Sequence, residues 1–432
     1  MYDQACSTWV RLSWVDNGGI LRGQARHGDL LGDLIETGLP LVAGVQGVPG
    51  HVDTPVEASG LGPVGQTWLR GDESTARLLP WWPSCTAMFG DLLDGDGMPW
   101  AMCPRWALRR QVEALAERGF TMQFAFEPEF MLLRQADDGG YEPISESRFS
   151  SVHGLNRAHL ILEELADMLE LQGVAVEAML KESAPGQYEM PLMHADPLTA
   201  AEHHLIFRET LAVVAAGHGL VSTMLPKVVP DAAGNGAHMH MSLWRDGRDI
   251  MGADDGESLS QEGRCFMAGV LDHLPALCAL TAPTAASFHR IGAGRWSGNW
   301  CCWGWDNREA PLRVPGRRRG MSPTNIEFKT CDSTCNPYLA VAGAIAAGLD
   351  GLDRSLEPPD PVQVDPALLE IKPPPLPSDP GEACDALEHD DVLAAALGTP
   401  LLHACLGVRR AEWETMREWS LDHLVAELAE LY

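Results

Sequence analysis

Basic residues are scarce in this chain: 31 lysines and arginines stand against 60 aspartates and glutamates in 432 residues, a formal charge of −29. That deficit excludes nucleic acid or an anionic membrane surface as the main partner, because a phosphate backbone is neutralised by Lys and Arg. Regular cysteine spacing is missing too. The 11 cysteines are scattered through apolar context, with Cys301 and Cys302 adjacent and Cys331 and Cys335 four apart. This suits buried thiols in a reducing compartment rather than a disulfide framework, and no zinc-ligand spacing accompanies them. The stretch from Met1 to Asp16 lacks the basic start of a signal peptide, no apolar run is long enough to span a bilayer, and there are no internal repeats. The expectation is a soluble, cytoplasmic protein. The few basic residues gather in one segment, Arg308, Arg313 and the run Arg317-Arg318-Arg319, as an acidic protein that handles a nucleotide requires.

A chain of this length exceeds the usual limit of a single core, and its hydrophobic content of 45% supports a packed interior. Residues 1–98 are rich in Gly and Pro, with short apolar runs broken by turn signals such as Asp16-Asn17-Gly18-Gly19, and read as a small, mostly β domain. Residues 99–432 read as a second domain in which helices and strands alternate. Pro104 opens a helix that Gly119 ends. A second helix is expected from Asn156 to Gln172, followed by a strand from Val174 to Leu180. A third, capped by Asp196 with Pro197 at its first position, runs to Gly217 and precedes a strand from Val221 to Lys227. The stretch from Pro358 to Pro380 holds nine prolines and is expected to be an irregular arm. An amphipathic helix from Arg409 to Leu431, anchored in the core by Trp413 and Trp419, is expected to close the chain.

The chemistry collects where polar groups share a strand face. In Phe124-Ala125-Phe126-Glu127-Pro128-Glu129-Phe130, side chains two apart point the same way, so Glu127 and Glu129 lie together among large apolar neighbours. Alone, this pair reads equally well as solvated residues flanking an edge-strand proline. Glu182 and Glu189 bracket a Pro-Gly turn that can return one carboxylate to the other. His238, His240 and Ser242 share one face of an alternating strand, and Asn325, Glu327 and Lys329 share another. A lone histidine on such a strand is more often a hydrogen-bonded core residue than a ligand, but several such stretches within one domain favour a site. If Glu127, Glu129, Glu182, Glu189, Glu327 and His238 converge, two divalent cations offset four of the five negative charges, and arginines offset the rest. An oxygen-rich ligand set of this kind favours Mg²⁺ or Mn²⁺. Such a pair of ions beside Arg308 and Arg313 is the arrangement that phosphoryl transfer needs.

Several motifs occur in fixed order: Phe-Glu-Pro-Glu-Phe at 126–130, Glu-Ser-Ala-Pro-Gly-Gln-Tyr-Glu at 182–189, Gly-Asn-Gly-Ala-His-Met-His-Met-Ser at 234–242, Asn-Arg-Glu-Ala-Pro-Leu-Arg-Val at 307–314, and Asn-Ile-Glu-Phe-Lys at 325–329, followed by Asp332 and Asn336-Pro337-Tyr338. Together they strongly resemble the glutamine synthetase superfamily, from about Trp68 to the C-terminus. The resemblance implies an α+β protein: an N-terminal β-grasp domain and a C-terminal catalytic domain on a curved antiparallel sheet. It also implies a homo-oligomer, a dodecamer of two hexameric rings with active sites shared between neighbours. By position, Glu129, Glu182 and Glu189 would hold the metal nearer the acyl substrate, and Glu127, His238 and Glu327 the one nearer the ATP phosphates. His240, Ser242, Asn325 and Arg313 match ATP-contacting positions. Arg308 and Arg313 match the arginines that handle the transferred phosphoryl group, with Lys329 beside them. Gly234 and Arg290 match contacts to the amino-acid substrate.

The departures from the family bear on function. Ammonia-using members carry a glutamate a few residues after the position of Arg290, where this chain places Trp296; an indole cannot take a proton or bind ammonium by charge, but it stacks against an organic amine. The ammonium-binding aspartate motif of the N-terminal domain has no recognisable counterpart, Asp53 and Glu57 being the only nearby acids. Lys329 stands where an arginine is usual, a point charge in place of a bidentate fork, and Ala233 replaces an asparagine that touches glutamate. The stretch from Glu370 to Glu382 contains no tyrosine for adenylylation. The expectation is an ATP-dependent ligase with small-molecule amino-acid and amine substrates, forming a γ-glutamyl amide through an acyl phosphate. An ammonia-dependent glutamine synthetase and a catalytically silent relative with a structural or regulatory role are the alternatives.

Overall fold

The computed structural model describes residues 8–137, 139–292, 294–316 and 322–432; the run Arg317-Arg318-Arg319 lies outside them. Trp9–Val15 (β1) and Leu21–His27 (β2) form a hairpin around the Asp16-Asn17-Gly18-Gly19 turn, and Asp16 closes it by accepting a hydrogen bond from the Ile20 amide at 3.0 Å. A short helix, Leu31–Glu36 (α1), leads to Leu39–Val42 (β3), Gln66–Gly71 (β4), Arg77–Leu79 (β5) and Trp82–Leu93 (β6). The strand order is β2-β1-β6-β4-β3, with β5 also on β6. β1 runs parallel to β6, whereas the other pairs are antiparallel. This is the β-grasp arrangement, and its inner face buries Leu12, Trp14, Leu41, Leu69 and Met88.

Pro104–Glu117 (α2) begins at its proline with Cys103 as cap, and Gly119 beyond its end takes the left-handed conformation (φ +77°). The chain then enters Thr121–Gln135 (β7), to which Tyr141–Pro143 (β8) pairs. Val152–Glu170 (α3), Leu180–Lys181 (β9), Gln187–Glu189 (β10), Pro197–Gly217 (α4) and Val221–Thr223 (β11) follow. Next come Ala237–Arg245 (β12), Arg248–Asp249 (β13), Gln261–Asp272 (α5), Leu274–Thr281 (α6) and Ala285–Arg290 (α7). Trp303–Trp305 (β14), Leu312–Val314 (β15) and Ile326–Phe328 (β16) complete a ten-stranded sheet of order β14-β15-β16-β12-β7-β10-β9. Its ladders are antiparallel except between β14 and β15. Pro337–Asp353 (α8), Pro380–Glu388 (α9), Asp391–Leu397 (α10), Thr399–Met416 (α11) and Leu421–Leu428 (α12) end the chain. One apolar cluster runs beneath the large sheet, from Leu108 through Phe124, Phe126 and Phe130 to Ile345.

Three expectations change. Val174 to Leu180 is not a continuous strand, because the extended partner it meets carries Pro191, which has no N–H to donate. What remains is a bridge at Val176 and the two-residue β9. The strand at Val221 stops at Thr223. The closing helix is two helices: α11 starts at Thr399, and Ser420 recaps the chain for α12 by accepting from the His423 amide. Trp413 and Trp419 pack, partly buried, against Met416, Leu424 and Leu428. Among the described residues no single helix is long and apolar enough to cross a membrane.

One buried cation ties the grasp sheet to the catalytic helices. Arg105 of α2, 2% exposed, bonds to Asp72 at 2.8 Å, Asp91 at 2.9 Å and Glu202 of α4 at 2.8 Å. Asn336, the cap of α8, adds a 3.1 Å bond to the carbonyl of Asp16. Removing one partner of a buried ionic network strands the rest. Arg105→Ala leaves Glu202 without its ion-pair partner and Asp91 with Arg109 alone, and lowers stability by about 3–5 kcal/mol, measurable as a fall in the chemical-denaturation midpoint.

Candidate active site

The strand registers bring the scattered acids together. Glu127 and Glu129 lie two apart on β7. Across one ladder His238 faces Glu127, and across the other Glu189 faces Glu129. On the far side of β12, His240 faces Glu327, which in turn faces Arg313. Glu182 follows β9, and the Pro-Gly turn, with Gly186 at φ +65°, returns the chain so that the Glu182 amide donates to the Gln187 carbonyl at 3.0 Å. Glu127, Glu129, Glu182, Glu189, His238 and Glu327 all line one cavity of about 600 Å³. Gly234, Arg290, Trp296, Arg308, Arg313 and Lys329 line it too. His240, Ser242 and Asn325 line a neighbouring cavity of about 330 Å³, and Glu127 belongs to both. The sequence-predicted residues thus fall into two adjoining cavities that meet at one carboxylate. Asp53 and Glu57 are exposed and line neither.

The distances are those of a site built for cations. His238 Nδ1 lies 3.4 Å from Glu127 and 3.3 Å from Glu327, and its Nε2 3.9 Å from Glu129. His240 donates through Nδ1 to Asn325 Oδ1 at 2.9 Å, which turns its Nε2 toward Glu127 at 3.1 Å. Ligand atoms of Glu127, His240 and Glu327 lie within 4.8 Å of one another. His240 Nε2 and Glu327 Oε2 are both buried without a well-aligned hydrogen bond. Carboxylate and imidazole atoms crowded this closely in an acid-rich cleft fit a divalent ion, with Glu127, Glu327 and the two histidines to hold it. Sequence reasoning gave only His238 this role, yet His240 lies as close to Glu127 and has Glu327 within 4.8 Å. Glu129, Glu182 and Glu189 offer the second set. Glu129 is held by Gln187 Nε2 at 3.0 Å and the Gly236 amide at 2.9 Å.

The electrostatics divide the acids into two kinds. Burial pushes the Glu127 carboxyl up, but His238 and His240 outweigh it and hold the group well below the usual carboxylate range. Glu327 is likewise pulled against burial to about 2 by Lys329, the two histidines and Arg313. Glu129 and Glu189 shift the other way: burial and then neighbouring carboxylates, Glu182 for the first and Glu129 for the second, raise both. Burial raises Glu182 too. Despite burial, Glu127 lifts His240 to about 9, while burial and Lys329 lower His238 to about 4.

Cations frame the cavity. Arg313 Nε lies 2.8 Å and Lys329 Nζ 3.4 Å from Glu327. Arg290, 4% exposed, donates through Nη2 to the Lys329 carbonyl at 2.9 Å, and its Nη1 is buried without a hydrogen-bond partner. Gly234 packs so closely that a Cβ there would stand 2.1 Å from the Pro226 carbonyl oxygen. At the mouth, Trp296 meets Phe149 edge-on with centroids 6.1 Å apart, and the Arg308 guanidinium lies 5.7 Å from the indole centre. Sequence reasoning missed Phe149, Gln187 and Glu309. Gln187 and Glu309 sit inside the quoted motifs and could have been found by adjacency, whereas the surroundings of Phe149 carry no signal.

Comparison with known proteins bears on the family and the fold. The family profile described as glutamine synthetase, catalytic domain, matches residues 101–423. The gamma-glutamylpolyamine synthetase GlnA3 of Streptomyces coelicolor is 35% identical over 429 residues, covering 91% of this chain and 91% of that protein. Type-1 glutamine synthetase 1 of Dictyostelium discoideum is 33% identical over 375 residues, covering 82% of this chain and 75% of that protein. A solved structure described as a novel glutamine synthase homolog superposes with a TM-score of 0.87 at 33% identity, covering 99% of each chain.

Glu129, Glu189 and His240 all titrate above their unfolded values, so the folded protein keeps protons that the unfolded chain has lost, and stability falls as pH rises through that window. His238 runs the other way but is neutral in both states at neutral pH and above. The thermal midpoint of the metal-free protein therefore drops between about pH 7 and about pH 9. Saturating Mg²⁺ or Mn²⁺ reverses most of the drop, with proton release seen by calorimetry in buffers of different ionisation enthalpy.

Proposed function

The chain belongs to the glutamine synthetase family, and we propose that it joins the γ-carboxylate of glutamate, or a close analogue, to an organic amine at the expense of ATP. The observation that carries this reading is Trp296, standing with Phe149 at the cavity mouth in the stretch where ammonia-using relatives carry an acid. An aromatic wall excludes water from the amine's carbon skeleton and offers a π face to a cationic one. The name of the Streptomyces relative, a gamma-glutamylpolyamine synthetase, supports an amine acceptor. The name of the Dictyostelium relative favours ammonia instead, and the experiment below separates the two. A silent scaffold is disfavoured, since carboxylates that repel one another in a buried cleft burden a fold that makes no use of them.

In this reading Arg290, with its unpartnered Nη1, receives the amino-acid carboxylate beside Gly234. ATP lies in the cavity lined by His240, Ser242 and Asn325. Divalent ions, when bound, neutralise phosphate oxygens and organise the transfer. Arg313, held beside Glu327, and Arg308 at the mouth stabilise the charge that spreads over the moving phosphoryl group. The acceptor enters past Trp296 as the neutral amine, its nitrogen attacks the acyl phosphate carbon, the carbon–oxygen bond to phosphate breaks as the amide C–N bond forms, and the displaced N–H proton leaves on the departing phosphate. The same aromatic wall keeps competing water from the acyl phosphate.

With ATP, Mg²⁺ and glutamate, phosphate release screened over a panel of amines is faster with at least one organic amine than with ammonium at equal concentration. Ammonium outpacing the whole panel would sink the amine reading and leave the ammonia-dependent one. Glu189→Ala lowers turnover with every acceptor by at least about 100-fold, from loss of several kcal/mol of metal-dependent charge stabilisation. Retained turnover in that variant would remove Glu189 from the metal site.

A further inference from the structure

We propose that Glu309 is a positioning residue for the acceptor subsite, clamping the backbone that carries Trp296; this rests on the reading of Trp296 as the acceptor wall. The Glu309 carboxylate spends one oxygen on each of two amides: Oε2 accepts from Gly294 N and Oε1 from Trp296 N, both at 3.1 Å. Both of those residues are left-handed, Gly294 at φ +70° and Trp296 at φ +56°. Glycine adopts that conformation freely, whereas a residue as bulky as tryptophan does so only when its surroundings impose it. Two charge-assisted hydrogen bonds from one carboxylate are a sufficient constraint, because they fix the direction of both N–H vectors at once.

The clamp itself is anchored. The Glu309 amide donates to Asn307 Oδ1 at 3.1 Å, and Asn307 Nδ2 donates to the carbonyls of Val362 at 2.8 Å and Val364 at 3.0 Å. The proline-rich arm thereby supports the segment that holds the tryptophan. The indole is then steered from two further sides, by Arg308 at 5.7 Å and by the edge-on Phe149 ring. Glu309 is not among the residues lining the cavity, so its influence on a substrate passes through Trp296. Without the clamp the segment relaxes toward ordinary backbone angles and the indole leaves the mouth. The cost then falls on acceptor binding, not on the nucleotide or the amino acid.

Steady-state kinetics of Glu309→Ala, Glu309→Gln and Trp296→Ala test this, with the best acceptor found for the wild type. Glu309→Ala is expected to raise the acceptor KM ten-fold or more while the ATP and glutamate KM values move less than three-fold. Glu309→Gln should fall between, since its amide oxygen can serve only one of the two N–H groups. In a Trp296→Ala background, Glu309→Ala should add nothing, because the two changes remove one interaction. A uniform rise in all three KM values, a fall in kcat at saturating acceptor with KM unchanged, or full additivity in the double variant would each overturn the assignment. If Glu309→Ala fails to fold, the near-isosteric Glu309→Gln and the double-variant cycle built on it decide the question. Should ammonium prove the best wild-type acceptor, the amine reading fails by itself, and the same KM split measured with ammonium judges Glu309.

Discussion

Mutual repulsion among buried and half-buried carboxylates is the constraint on which the rest of this structure depends. Glu127, Glu129, Glu182, Glu189 and Glu327 share one cleft, and protein charge offsets them only in part. Two of them, Glu127 and Glu327, are kept ionised by histidines, Lys329 and Arg313. In Glu129 burial and Glu182 outweigh Arg290 and Lys329, and in Glu189 burial and four neighbouring carboxylates act together, so both are driven toward their protonated forms. An arrangement that is uncomfortable without cations and relieved by them fits divalent ions. The grasp sheet and the helices under the large sheet provide the stability against which this discomfort is held.

The two adjoining cavities separate the tasks of the proposed reaction. Glu127 is common to both, so whatever it holds sees the nucleotide cavity on one side and the acyl cavity on the other. Arg313 and Glu327 occupy facing positions on β15 and β16, which sets a guanidinium against a carboxylate at 2.8 Å; in the proposed reaction these are the phosphate-handling cation and a metal-binding anion. This part of the site is rigid, because each of its members is a strand residue locked by register. The mouth is built differently. Trp296, Phe149 and Arg308 stand on loops, and their positions follow from ring contacts and from the Glu309 carboxylate rather than from a ladder. In the proposed reaction, acceptor choice lives on the part of the molecule that can change without disturbing the strand residues of the acid cluster.

The motif strands carried their facing in the sequence itself. Alternation at 124–130, at 237–243 and at 325–329 told which side chains share a face, since the period of a strand is set by covalent geometry. Proline and glycine placement told where α2 and α4 begin and where α2 ends. Sequence was misleading where a partner decided the outcome. Val174 to Leu180 reads as a strand, but its neighbour carries Pro191 and cannot complete a ladder. The closing helix breaks before Ser420 because a side-chain cap there competes with continuation.

What the sequence by itself determined is the set of ionisable groups, their facing along each strand, and the family to which the ordered motifs belong. Only the tertiary structure decided that His240 approaches the same two acids as His238, that Arg290 keeps an unpartnered nitrogen, and that Glu309 reaches back to hold Gly294 and Trp296. The physical reason is range. Facing along a strand is fixed by neighbours one and two bonds of chain away, whereas cross-strand register and loop closure join residues more than ten positions apart, and no local preference encodes those distances.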